Sequence, residues 1–166
     1  HLPWIIGLDN ERRTFLVLLQ NNMELRPTGG FIGSYAILTF ENGQLLNFQV
    51  EDVYTADGQL KGHVEELTQI KEILGEANWY LRDSNWNPNF PDSAENAEWF
   101  MEKELNRQFD GVIGFNLEAA KKLISAFGEI YLADFNEKIS ADNIFERAEF
   151  WSENESFPGS NQKSAF

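Results

Sequence analysis

Apolar and polar residues alternate with three different periods along the chain, and each period predicts a different element. Thr14–Leu19 is a nearly unbroken apolar run, as expected of a strand buried on both faces. Phe31–Phe40 reads as a second strand. Glu41-Asn42-Gly43-Gln44 then supplies the Asn-Gly pair that favours a tight hairpin, and Leu45–Tyr54 returns as a third strand. From Val64 to Leu74 the rhythm becomes helical, with Val64, Leu67, Ile70, Ile73 and Leu74 on one face and Gly75 as a stop. Glu76–Pro91 is aromatic, Asn-rich and broken by proline, which predicts an ordered loop. Asp92-Ser-Ala-Glu95 resembles a capping box that opens a helix to about Arg107. Phe109–Phe115 alternates as a strand, Asn116 can cap a helix over Leu117–Phe127 that Gly128 ends, and Glu129–Ala133 is a short last strand. Ser140 or Asp142 can open one more helix through Trp151.

This order, β-β-β-α-α-β-α-β-α, predicts an α/β fold: a mixed β-sheet of about five strands flanked by helices. Residues 1–151 are expected to form a single domain. Residues 152–166 read as a polar tail, the expected start of a truncated continuation, so the chain looks like an excised piece of a longer protein. Sites in open α/β sheets collect at strand ends. That singles out the loops Asn21–Gly30, Asp52–Gly58 and Leu81–Phe90.

Composition narrows the classes. The chain has 166 residues, 42% hydrophobic and 14% aromatic, which suits one folded domain with a real core. Thirteen basic against 27 acidic residues give a formal charge of −14. Such a surface disfavours nucleic acid, whose sequence-independent binding rests on lysine and arginine, and it disfavours anionic lipid headgroups. No cysteine is present, which removes disulfides, thiolate metal sites and cysteine nucleophiles. No apolar run approaches a membrane span and no signal peptide is present, so a membrane is expected only through an anchor outside this sequence.

Three clusters carry candidate chemistry. In the first, a strand-like run stops and a loop follows with one arginine, Arg26, then Thr28, Gly29 and Gly30. Glycines can turn several N–H groups toward one point, and an arginine among them suits an anion that accepts a planar fork of donors. The structural alternative is a tight turn whose arginine pairs with a carboxylate. In the second, Arg82 and Asp83 lie beside Trp79, Trp86 and Phe90. They read as a groove in which aromatic faces stack on sugar rings, or as an ion pair and core anchors fixing a long loop. In the third, Asp52 and Asp57 are a possible pair of Mg²⁺ ligands, or one is a general base, or both are turn caps. His1 and His63 supply no pair, Ser34 lacks a nucleophile elbow, and no Walker loop exists. Asn154-Glu-Ser156 fits a glycosylation acceptor in a eukaryotic secretory setting only.

With these residues in view, the chain strongly resembles the bacterial family catalogued as domain of unknown function 4012. The matching stretches are Leu18–Ser34, Leu81–Ser93 and Asp110–Phe115, with Phe157–Lys163 resembling the family's continuation. Members resemble envelope proteins with an N-terminal membrane helix and this domain outside the cytoplasm, so the resemblance implies an extracytoplasmic, anchored protein. More remotely, the element order resembles the LytR-CpsA-Psr proteins, which transfer glycopolymers from a polyprenyl-pyrophosphate carrier using arginines and acidic residues with Mg²⁺. Phe15–Leu19 followed by Arg26, and Asp110–Ile130, carry that likeness; where those proteins have Arg-Ser-Asp-Thr, this chain has Arg26-Pro-Thr-Gly. The likeness implies a domain that binds a phosphorylated glycan or a lipid-pyrophosphate carrier, with phosphoryl transfer as its reaction. Arg26, Arg82, Thr28, Gly29, Gly30 and Trp86 would bind the substrate. Asp52 and Asp83 would act as catalytic acids or bases, and Asp52 and Asp57 would hold Mg²⁺. The alternative is a non-catalytic envelope module for glycan or protein. Convergence of Arg26, Arg82 and an aspartate on one pocket is the arrangement the first reading requires.

Overall fold

The computed structural model describes residues 2–154, with side chains to residue 150. Helix α1 (Leu2–Ile5) precedes an antiparallel meander of β1 (Arg13–Asn21), β2 (Phe31–Glu41) and β3 (Gln44–Asp52). Two short helices follow, α2 (Val53–Asp57) and α3 (Thr68–Leu74), then a 3-10 turn (Leu81–Asp83) and the long helix α4 (Phe90–Leu105). Strand β4 (Gly111–Asn116) leads into α5 (Leu117–Phe127). A small hairpin of β5 (Ile130–Leu132) and β6 (Glu137–Ile139), joined through a second 3-10 turn (Ala133–Phe135), precedes α6 (Ile144–Asn154). The architecture is the expected α/β one: a mixed four-stranded sheet in the order β3-β2-β1-β4, a separate hairpin and six helices among the described residues. The segment after Asn154, with most of the polar tail, Phe157–Lys163 and all but the first residue of the glycosylation triplet, lies outside the described residues, as does His1.

β1 is central, antiparallel to β2 and parallel to β4. With α1 against one face of β1 and α4 against the other, both faces need apolar side chains, which explains its unbroken run. Phe15 and Val17 face one side, where Trp4 of α1 meets Phe15 edge-on at 6.1 Å. Leu16 and Leu18 face the other, in one core with Tyr35, Ile37, Ala97, Phe100 and Met101, so α4 closes this face. The register slips between Leu19 and Gln20, where Gln20 pairs with Ile32 and Gly33 is bulged out. The bulge offsets the alternation by one residue and keeps Ile32 on the same face as Tyr35 and Ile37. Gln20, two places beyond Leu18 on β1, continues the buried Leu16–Leu18 row.

Several boundaries differ from the sequence reading, each for a local reason. The third strand stops at Asp52 because its carboxylate accepts the Tyr54 N–H at 2.8 Å and opens α2. The helix expected from Val64 begins only at Thr68. Val64 donates its N–H to Asn78 Oδ1 at 2.7 Å and accepts the Trp79 N–H at 2.9 Å, which holds it extended. α4 opens at Phe90, with Pro91 in the first turn where its missing N–H costs nothing. The Asp92 carboxylate serves no capping box and takes the side-chain amides of Asn87 and Asn89, each at 2.8 Å. The strand at Ile130–Leu132 pairs with β6 and not with the main sheet. The expected cap at Asn116 is present, its side chain accepting the Ala119 N–H at 3.0 Å, and Gly128 ends α5.

Candidate functional site

Where the parallel strands β1 and β4 end, the Gly29–Gly30 loop and the start of α4 leave an open cleft of about 290 Å³, lined by Gln20, Thr28, Gly29, Phe90 and Gly114. Its shape depends on missing side chains. A Cβ on Gly114 would stand 2.9 Å from the Phe90 ring and 3.2 Å from Gln20 Oε1. Gly29, at φ 79°, leaves room for the same Gln20 amide, and Gly30, at φ 120°, lies against the Asn21 carbonyl. The Gln20 side chain donates through Nε2 to the Thr28 carbonyl. That bond fixes the amide's orientation, because only the NH₂ can donate, and turns Oε1 toward Gly29 and Gly114. Asn85, fully buried, donates Nδ2 to the carbonyls of Thr28 at 3.0 Å and Gly30 at 2.7 Å. The loop therefore turns carbonyls inward. The Gly29 N–H, on the far side of the same trans peptide as the Thr28 carbonyl, points away from the two amides. An uncharged lining, an amide oxygen and an aromatic ring are what the cleft offers.

The two arginines lie behind it. Arg26 reaches Asp83 through Nε at 3.2 Å, with its guanidinium over the rings of Phe31 at 5.2 Å and Trp86 at 5.4 Å. Arg82 donates to Asp57 at 2.8 Å, lies 3.5 Å from the second oxygen of Asp83, pairs with Glu76 at 3.2 Å and covers Tyr80 at 4.1 Å. Asp83 thus bridges both guanidiniums, each only 13% exposed. The expected convergence on an aspartate exists, but as an ion-pair lattice inside the fold. Both cations are already neutralised, and neither lines the cleft. Burial raises the Asp83 carboxyl despite the opposing pull of Arg26 and Arg82. Burial also lifts Asp57 to about 6, again against Arg82.

Asp52 and Asp57 sit at opposite ends of α2, one capping it and the other paired to Arg82. Among the described residues no three of His, Cys, Asp and Glu gather as a metal-binding set. The donors present do not fit the proposed Mg²⁺, since the charge facing Asp57 is already a guanidinium. Of the sequence candidates, Thr28, Gly29 and Phe90 line the cleft. Arg26, Arg82, Asp83, Asp57 and Trp86 build the lattice, while Asp52 and Gly30 shape the chain. Trp79 packs edge-on against Phe100 and donates to the Asp83 carbonyl at 2.9 Å, and Trp99 is exposed beside Lys103.

Three residues escaped the sequence reading. Gln20 had a signal: it is the polar residue two places beyond Leu18 in an alternating buried row. Gly114 had one too, as a side-chain-free position inside a strand. Glu104, buried on α4 with both carboxylate oxygens lacking a well-formed hydrogen bond, had none, because on a helix it reads as another surface acid.

The family model for a protein of unknown function (DUF4012) matches residues 10–149, which spans every strand of the main sheet and the whole site. The chain belongs to the DUF4012 family. No curated protein and no solved structure matches it. The family's boundaries include the cleft, the arginine–aspartate lattice and Glu104, so all three belong to the DUF4012 domain.

Proposed function

We propose that this DUF4012 domain is a non-catalytic, extracytoplasmic module that binds a glycan segment in the cleft at the ends of β1 and β4. The observation that carries the reading is the lining: no charged side chain, the Gln20 Oε1 acceptor and the Phe90 ring. A sugar supplies hydroxyl donors for the acceptor and C–H faces for the ring, whereas a phosphate supplies only further acceptors. The rival reading, transfer of a lipid-pyrophosphate-linked glycopolymer, would need Arg26 and Arg82 to abandon buried carboxylates. A phosphorylated glycan is accommodated through its sugar. The setting outside the cytoplasm rests on the resemblance to anchored envelope proteins. No described helix is long and apolar enough to cross a membrane, and in this reading the anchor lies outside this chain.

Tryptophan fluorescence, with Trp86 behind the loop as reporter, tests this. Soluble cell-wall glycan fragments are expected to give a saturable change that Phe90→Ala weakens by about tenfold or more, the scale of one lost apolar contact. Gly114→Ala, which pushes the Phe90 ring, is expected to weaken it as well. Saturation by pyrophosphate or a polyprenyl pyrophosphate with Mg²⁺, and none by glycan, sinks the proposal and restores the transferase.

A further inference from the structure

Glu104 and Asp57 place three carboxylate oxygens in the interior without a well-formed hydrogen bond: both of Glu104, with the Leu81 N–H nearby, and Oδ1 of Asp57. The two residues are 8% and 6% exposed and come from α4 and α2, which pack against each other and against the 3-10 turn Leu81–Asp83. Two ionised carboxylates there would share one cation, Arg82, whose guanidinium is already divided among Asp57, Asp83 and Glu76. An isolated buried charge costs several kcal/mol on the usual scale, and such a group neutralises instead. A proton is the smallest species that relieves the crowding.

We infer that Glu104, facing Asp57, holds a proton inside the folded domain and that this proton latches α4 to α2 and the 3-10 turn. The charged and titratable groups around the pair are Arg82 and Asp83 from the turn, Tyr54 at the start of α2, and Tyr35 from β2, which also feels Glu51, Asp52 and Arg107. Only Arg82 and Arg107 are positive, and Arg82 is committed. Burial first, and the Asp57 charge second, push Glu104 from an ordinary 4.5 up to about 8, with the nearby Leu81 N–H and Arg82 tempering the rise. The folded state then keeps a proton that an unfolded chain releases near 4.5, so stability falls as pH rises from there toward about 8. Asp57 adds the same sign between its ordinary 3.8 and about 6. Because the 3-10 turn runs straight into Ser84 and Asn85, and Asn85 holds the Thr28 and Gly30 carbonyls, loss of the proton loosens the wall of the cleft.

Carbon-detected NMR of the side-chain carboxyls decides the matter on the whole chain, with no ligand needed. Glu104 is expected to titrate near pH 8, and Asp57→Asn to lower that midpoint by removing the neighbouring charge. Thermal melts are expected to fall from about pH 5 to pH 8 and to level off above it in the unaltered protein, and Glu104→Gln to cut that decline by about half or more. Glu104→Met stands in if the glutamine variant does not fold, and the NMR midpoint decides if neither folds. A Glu104 midpoint below about 5.5, within the range of ordinary glutamates, overturns the inference. So does a midpoint that drops on adding Mg²⁺, which would mark a cation site, or a pH slope that both variants leave unchanged.

Discussion

The two ends of the DUF4012 domain fold under different rules. Around β1, β2 and α4, eleven buried residues form one core, with an arginine–aspartate lattice fastened beside it. Past β4, the buried apolar cluster is three residues, Ile124, Ile139 and Ile144, and all of β5 is exposed. Phe127, at the end of α5, is 86% exposed. α5 has helical amphipathicity as clear as that of α4, so periodicity does not separate the two regions. What separates them is the surface covered: α4 shares one core with β1, β2, α2 and the first 3-10 turn, whereas α5 meets an edge strand and another helix. An amphipathic face is only as stabilising as the surface it covers.

The comparison can be broken by substitution. Arg82→Ala leaves the buried Asp57 without its cation and Asp83 with Arg26 alone, and is expected to cost about 3–5 kcal/mol, read by thermal or denaturant unfolding. Phe100→Ala, from a fully buried site between Trp79 and Trp99, belongs in the same range of about 3–5 kcal/mol. Ile124→Ala is expected at only about 2 kcal/mol, because its thinly packed surroundings can close over the gap. Equal losses at Phe100 and Ile124 would erase the distinction. Asn116→Ala, which removes the cap of α5, should cost about 1 kcal/mol. Hydrogen exchange sharpens the contrast without mutation: β1 and β2 amides should exchange only by global opening, and β5–β6 amides by local opening at far lower protection.

Much of this was legible in the sequence. The apolar run Phe15–Leu19, the Asn42-Gly43 turn and the Asn116 cap are local signals, and each produced the expected element. The α/β class followed from their order. The site was legible only in part, since a pattern of residue types reports what a loop contains and not which way its peptides turn. Thr28 and Gly29 line the cleft, but the Thr28 and Gly30 carbonyls are drawn inward by Gln20, eight positions from Thr28, and by Asn85, 55 positions from Gly30. Arg26 and Asp83 meet across 57 positions, a pairing that no spacing rule exposes. Glu104 is hidden for the same reason: burial of a helical acid is decided by α2 and the turn, which arrive from elsewhere.

The parallel pairing of β1 with β4 also sets an order of assembly. Thr14 donates its N–H to Asp110 at 2.7 Å, a bond that spans 96 positions, while β1, β2 and β3 meet through short connections. Closing the long loop is the slower and entropically dearer step. A chain leaving the ribosome completes its meander while β4 is still unmade, and the unclaimed edge of β1, rich in leucine and valine, waits for it. Substitutions along Val112 and Ile113, which weaken the contact made in that slow step, should therefore slow folding more than they speed unfolding, as stopped-flow kinetics can measure.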